Sequence, residues 1–346
     1  MNTKLAALVL IALAPSAGLA HHSSALFDFN KPVTIDGTVV KLDWKNPHVY
    51  FTIESRAPDG KLVRQDIQAA SLSMIRALGL RRDMVLPGTH VKIGGMAQRS
   101  GSDRLVWGGS VTFDDGSTYL LETIGPNTHI PKVPEATGLA GKWAPPPASI
   151  QAFLQTLQTL PLTAAAGSGR AAMNDPRGPA SFCEKGFPVG VTAALLGAFP
   201  VLHSVEINDK TVVMRIDADG LSVERVVHLD QTAHPAGLAA SALGHSIGHW
   251  EGATLVIDTV GFTPSPVSSN VLHTVERLTL AGDKRHLKYE MVLHDPKFWT
   301  KAVTLSTVWD YRPDVEPSGA TCDPQDARRY LQSTHINDPA SDVPSP

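Results

Sequence analysis

From Val201 onward, apolar and polar residues alternate with period two in segment after segment, and the breaks between segments are mostly short. This pattern constrains the fold more than any other feature of the chain. A strand points successive side chains to opposite faces, so alternation marks a sheet with one face buried. The segments are Val205–Ile207, Thr211–Ile216, Leu221–Leu229, Thr254–Thr259, Val271–Leu280, His286–His294 and Val303–Tyr311. Asn208-Asp209-Lys210 and Asp219-Gly220 supply turn residues between the first three. Seven or more successive strands of this kind predict an antiparallel up-and-down barrel or curved meander.

An earlier set of strands lies upstream. Val33–Trp44, His48–Glu54 and Leu62–Gln68 alternate in the same way, the last two across a Pro58-Asp59-Gly60 turn. Ser71–Leu80 has helical spacing through Leu72, Ile75 and Leu78, with Ser71 as N-cap and Gly79 near the end. Strands resume at His90–Ala97 and Leu105–Phe113, before an Asp115-Gly116 turn. Strands interrupted by one helix predict a small OB-like barrel, which offers a binding face without specifying a ligand. The chain is therefore mainly β, with an OB-like module over 21–123 and a second β domain over 141–330. A Pro- and Gly-bearing linker spans 124–140, Ser149–Leu160 reads as a helix, and 331–346 as a disordered tail.

The first twenty residues have the form of a signal peptide. Lys4 precedes an apolar run, Leu5–Ala14, too short to span a bilayer, and Gly18 and Ala20 place small residues at the −3 and −1 positions. Export to the periplasm or beyond is the expectation, with no membrane span in the mature chain. In such a compartment Cys183 and Cys322 pair most simply as a disulfide, worth up to about 4–5 kcal/mol in the chain-entropy model; two free thiols are the alternative. A formal net charge of −3 and the lack of a basic stripe argue against a nucleic-acid partner.

Cleavage after Ala20 would make His21 the first residue. Its α-amine and imidazole, with His22, can then offer three nitrogens to Cu(II), and His48 or His90 could complete the set. Copper is thus a possible cofactor, although binding in the barrel does not require one. A second constellation lies in the barrel region, where seven histidines fall between His228 and His294. His273 and Glu276 are three apart, on opposite faces of a strand. A side-by-side set must therefore come from neighbouring strands: Asp258, His273 and Glu290 are the candidates. Inside an apolar barrel such an imidazole–carboxylate pair could move a proton near pH 7, as in a hydratase, isomerase or lyase. Gly244-His245-Ser246-Ile247-Gly248 matches the Gly-x-Ser-x-Gly pattern formally, but its all-β surroundings lack the strand-to-helix turn that a nucleophile elbow needs.

Two resemblances cover most of the chain. His21-His22-Ser23 through Asn46-Pro47-His48 and the Leu86-Pro87-Gly88 turn resemble a family of small periplasmic proteins of unknown function. The second half resembles an uncharacterised lipocalin-like family of secreted bacterial proteins. The residues concerned are Gly244 to Gly252, Leu255–Phe262, Leu272 to Arg277, His294-Asp295-Pro296 and the opening Gly141-Lys142-Trp143. It departs from that pattern at Ala253, where an acidic residue is expected. Neither family carries an established activity. Apolar inward faces with a few polar groups make binding of a small, largely apolar molecule the leading expectation; proton-transfer enzyme, N-terminal copper protein and plain interaction module are its rivals.

Overall fold

The computed structural model describes residues 26–46, 48–102, 104–122, 133–146, 149, 159–164, 166, 202–218, 221–264 and 268–317. The N-terminal module contains β1 (Phe27–Asp43), β2 (Tyr50–Arg56), β3 (Leu62–Gln68), α1 (Leu72–Ala77), β4 (His90–Gln98), β5 (Leu105–Phe113) and β6 (Thr118–Leu120). Its strands form one sheet in the order β3-β2-β1-β4-β5-β6. A parallel pairing of β3 with β5, Asp66 opposite Leu105 through Gln68 opposite Trp107, closes five of them on themselves. The interior is apolar, with Val39, Phe51, Ile53, Ile67, Ile93 and Val111 all buried. As expected, Ser71 caps α1, its side chain accepting from the Met74 amide at 3.4 Å.

The second unit is a closed barrel of nine strands. They are β7 (Gly141–Ala144), β8 (Leu202–Ile207), β9 (Thr211–Ala218), β10 (Leu221–His228), β11 (His245–Glu251), β12 (Thr254–Val260), β13 (His273–Leu280), β14 (His286–His294) and β15 (Val303–Tyr311). Two were not predicted as strands: β7, which is short, and β11, whose two glycines and two histidines hide its alternation. Eight of the nine neighbour pairs are antiparallel. The exception is β10 with β11, which run parallel through Val227 opposite Ser246 and His228 opposite Ile247. A parallel pair needs a crossover, and residues 229–244 provide it. Gly244 ends that crossover at φ +69°, where a Cβ would sit 2.7 Å from the Val260 carbonyl oxygen.

Trp143, Leu255, Ile257, Leu278, Leu287 and Trp309 fill the barrel interior. Burying each such side chain stabilises the fold by roughly 1.5–3 kcal/mol. The stretch read as a linker contributes too, since Ala136 and Leu139 are buried in the same cluster and the Leu139 carbonyl accepts from the Trp143 indole at 2.9 Å. Arg312, just after β15, donates to the carbonyl of Ala77 at the end of α1, and so ties the barrel to the N-terminal module. No helix among the described residues is long and apolar enough to cross a membrane. The predicted signal peptide, Cys183, Cys322, nearly all of the Ser149–Leu160 helix and the C-terminal tail lie outside the described residues.

Candidate functional site

Burial and register mark the two faces of the barrel strands, although Val256 on the outer face of β12 is also buried. On β12, Leu255, Ile257 and Thr259 point inward, which puts Asp258 on the outer face. Thr274, Glu276 and Leu278 point inward from β13, leaving His273 outside. On β11, Ser246 and Gly248 are the buried positions and His245 is again on the outer face. The expected pairing of Asp258 with His273 therefore forms, but on the outside of the barrel and not within it. Alternation separates two faces; it does not say which one becomes the lumen.

His273 Nε2 lies 2.7 Å from Asp258 Oδ2. On the other carboxylate oxygen, Oδ1, His234 Nε2 sits at 2.8 Å. His234 comes from the 229–244 crossover, and its Nδ1 meets His245 Nδ1 at 2.8 Å. The His228 ring stacks on His245 with centroids 5.1 Å apart and planes at 14°. Four imidazoles and one carboxylate thus gather where the barrel closes through its parallel pair. Burial opposes ionisation of Asp258, yet the bonds from His234 and His273 outweigh it and hold the carboxyl below the usual carboxylate range. Burial, and then the charges of His234 and His228, push the His245 imidazole below its usual value.

The tautomers follow from these contacts. An ionised carboxylate only accepts, so both Nε2 atoms facing Asp258 carry hydrogen. A neutral His273 then keeps its lone pair on Nδ1, on a side chain that is 41% exposed. A neutral His234 accepts at Nδ1, so His245 donates from Nδ1 and keeps its lone pair on Nε2. With both of these rings neutral, the cluster presents basic nitrogens at both ends of one anion.

Glu290 does not join this set. It lies opposite Arg277 on β13, whereas His273 lies opposite His294. His48 is buried in the N-terminal module, with Nδ1 2.8 Å from the carbonyl oxygen of Ala69. His21 and His22 lie outside the described residues. His90 instead sits between Asp36 at 3.0 Å and Asp114 at 2.7 Å on the surface. Among the described residues no group of three or more His, Cys, Asp or Glu side chains is arranged to hold a metal ion. Ser246 is in mid-strand, buried and bonded to Thr259 Oγ1 at 2.8 Å, which removes the nucleophile-elbow reading. Ala253 falls with Gly252 in the exposed β11–β12 turn.

Two residues of the cluster carry no clear signal in the sequence. His234 follows no periodic pattern, and only the local density of histidines pointed to its region. His245 lies on β11, whose glycines and histidines mask the period-two pattern of a strand. A second polar group also went unforeseen inside the barrel. Arg225 on β10 grips Glu276 with both of its terminal nitrogens, and Tyr289 donates to Glu276 Oε1 at 2.7 Å. Burial works against the charge on Arg225, but the adjacent Glu276 outweighs it and raises the guanidinium above its usual value. Trp309 stacks on Tyr289 at 4.6 Å and on His203 at 4.2 Å.

Residues 8–106 match the model of a family of unknown function, DUF6152, in line with the resemblance of the N-terminal half to an uncharacterised family. No curated protein matches the chain. One solved structure, the Ifi202 HINa domain in complex with 20bp dsDNA, aligns at 11% identity over 80% of this chain and 96% of that one. Its TM-score of 0.14 is too low to bear on fold or function.

Proposed function

We propose that the outer-face cluster is a general acid–base site, with His273 as the base, Asp258 as its anionic partner and His234 and His245 completing the network. The single observation behind this reading is that Asp258 accepts from two imidazoles, at 2.7 and 2.8 Å, while the His273 side chain is 41% exposed. A carboxylate behind an imidazole fixes its tautomer and stabilises the imidazolium formed when Nδ1 takes a proton. That proton returns from Nδ1 to the substrate at a second position or to a leaving group, which is the chemistry of an isomerase, hydratase or lyase. Positioned bases of this kind contribute roughly 10²–10⁴-fold.

A generic carbon acid tests it. The wild-type protein is expected to eliminate 5-nitrobenzisoxazole faster than an equal concentration of free imidazole. His273→Gln and Asp258→Asn should each lower the rate by about tenfold or more. Equal rates in wild type and both variants would reject the proposal.

A second reading keeps the barrel lumen as a lipocalin-like site for a small, largely apolar molecule. It is supported by the buried Thr274 hydroxyl, which has no hydrogen-bond partner among the described residues. Both readings go with an exported protein cleaved after Ala20.

A further inference from the structure

The crossover 229–244 is fixed at both ends by backbone bonds that do not titrate. The Leu229 amide donates to the Lys210 carbonyl at 2.7 Å. The Ser241 amide donates to Gly261 at 3.0 Å, and its carbonyl accepts from Thr263 at 2.8 Å. Between those ends, within 230–237, His234 alone is bonded to the barrel among the described residues. The rest of that stretch is exposed apart from half-buried Gln231.

The hold of His234 has a fixed hydrogen capacity. Its Nδ1 and that of His245 are 2.8 Å apart, so one hydrogen fits between them and two do not. Its Nε2 hydrogen already serves Asp258. While the contact lasts, the two rings therefore hold at most three hydrogens on their four nitrogens. As a pair of imidazoliums they hold four, and both Nδ1 atoms become donors with nothing between them to accept.

The neighbours add to that conflict. His228 on β10 stacks on His245, and His273 on β13 shares Asp258 with His234. His294 stands opposite His273 on β14. Further along β11, His249 pairs with Glu251, which is also bonded to Arg277. Asp230 opens the stretch and is exposed. Among the described residues, Asp258 is the carboxylate bonded to the cluster, so full protonation sets four imidazoliums against one anion. The charges of His234 and His228 already hold the His245 imidazole below its usual value. Strands β10 to β13 are locked in ladders, whereas 230–237 is not, so the stretch is the part that gives way.

We propose that 230–237 is a latch that opens in acid: protonation of both His234 and His245 releases it from the barrel while β10 to β13 stay folded. Opening takes up at least one proton. The open fraction should therefore rise about tenfold for each unit of pH below about 6.5, where a free imidazole is half charged, and the latch is closed above it. Opening bares the Asp258 carboxylate, whose side chain is 34% exposed when the latch is closed. The latch goes beyond the acid–base reading and is measured by mobility, so either can fail without the other.

Amide 15N relaxation between pH 7.5 and 5, on wild type, His245→Asn and His234→Ala, tests the latch. In wild type, order parameters in 230–237 should fall from about 0.85 to below about 0.6 over that range, while those of β12 and β13 hold. His245→Asn keeps a hydrogen-bonding group beside His234 but cannot take the second proton, so it should stay ordered at pH 5. His234→Ala should be mobile at every pH. Ring 15N shifts of wild type give a second measure: His234 and His245 should both become imidazolium in the pH interval where the stretch loosens. Equal order in the wild-type stretch at pH 7.5 and 5 overturns the latch, as does mobility already at pH 7.5. Loosening of His245→Asn at the same pH as wild type, loosening before both rings are charged, or loss of β12 and β13 together with the stretch overturns it as well.

Discussion

Asp258 and His273 are hydrogen-bonded at 2.7 Å although they are not cross-strand partners: Asp258 lies opposite Val275, two residues beyond His273. The bond is a diagonal one on the outer face of β12 and β13. Its counterpart on the other oxygen comes from His234, which the crossover 229–244 brings back over the same strands. One carboxylate therefore fastens both a strand neighbour and a loop.

Asp258→Asn should loosen that loop without unfolding the barrel. The amide can still accept once, but it no longer offers a charge to two imidazoles. Hydrogen exchange in 229–244 is expected to speed up by about tenfold, with strands β13 and β14 unchanged. Uniform exchange in variant and wild type would show that the loop is held elsewhere.

Acid should weaken the protein in two stages. His245 titrates lower in the folded than in the unfolded chain, so its contribution is complete above about pH 6.5 and is lost as pH falls through its lowered value. Asp258 is also held low; its contribution is complete above the usual carboxylate range and disappears only in stronger acid. Denaturation midpoints measured from pH 7.5 to 3 should decline throughout. His245→Asn should flatten the part of the decline that begins near pH 6.5.

Glu276→Ala should be the most damaging change at the barrel centre. It strands the Arg225 guanidinium, whose side chain is 15% exposed, and removes the acceptor of the Tyr289 hydroxyl. A loss of about 3–5 kcal/mol is expected in urea unfolding. Replacing Arg225 and Glu276 together with Met and Leu should recover most of it, because the pair is costly to bury in the first place.

Arg312→Ala should act on the junction between the modules. Arg312 donates to the Ala77 carbonyl and bonds Asp314 at 2.9 Å, and it is 8% exposed. Its removal leaves a carbonyl at the end of α1 without this donor, at a cost of about 1–3 kcal/mol. Faster amide exchange in α1 than in β13 would locate the effect at the junction.

Much of this architecture is legible in the sequence. Period-two alternation from Thr254 to Tyr311 marked four of the barrel strands, and Leu72, Ile75 and Leu78 marked the helix. Opposite-face logic correctly separated His273 from Glu276 and paired it with Asp258. The same logic chose Glu290 wrongly, because register decides which residue of β14 comes near, and His273 faces His294 there. His245 and Ser246 were hidden in a strand whose glycines and histidines mask its pattern. His234 had no local signature at all, being 24 residues from Asp258 in a connection without periodicity.

Chain sterics act between adjacent residues, so the sequence by itself determined where most strands and the helix form and which side chains within them share a face. It also supplied the imidazoles and the carboxylate. Only the tertiary structure decided which face became the lumen, how the barrel closed through β10 and β11, and that the crossover would carry His234 onto Asp258. Those outcomes depend on packing between residues far apart in the chain, where burying Glu276 with Arg225 inside leaves His273 and Asp258 outside.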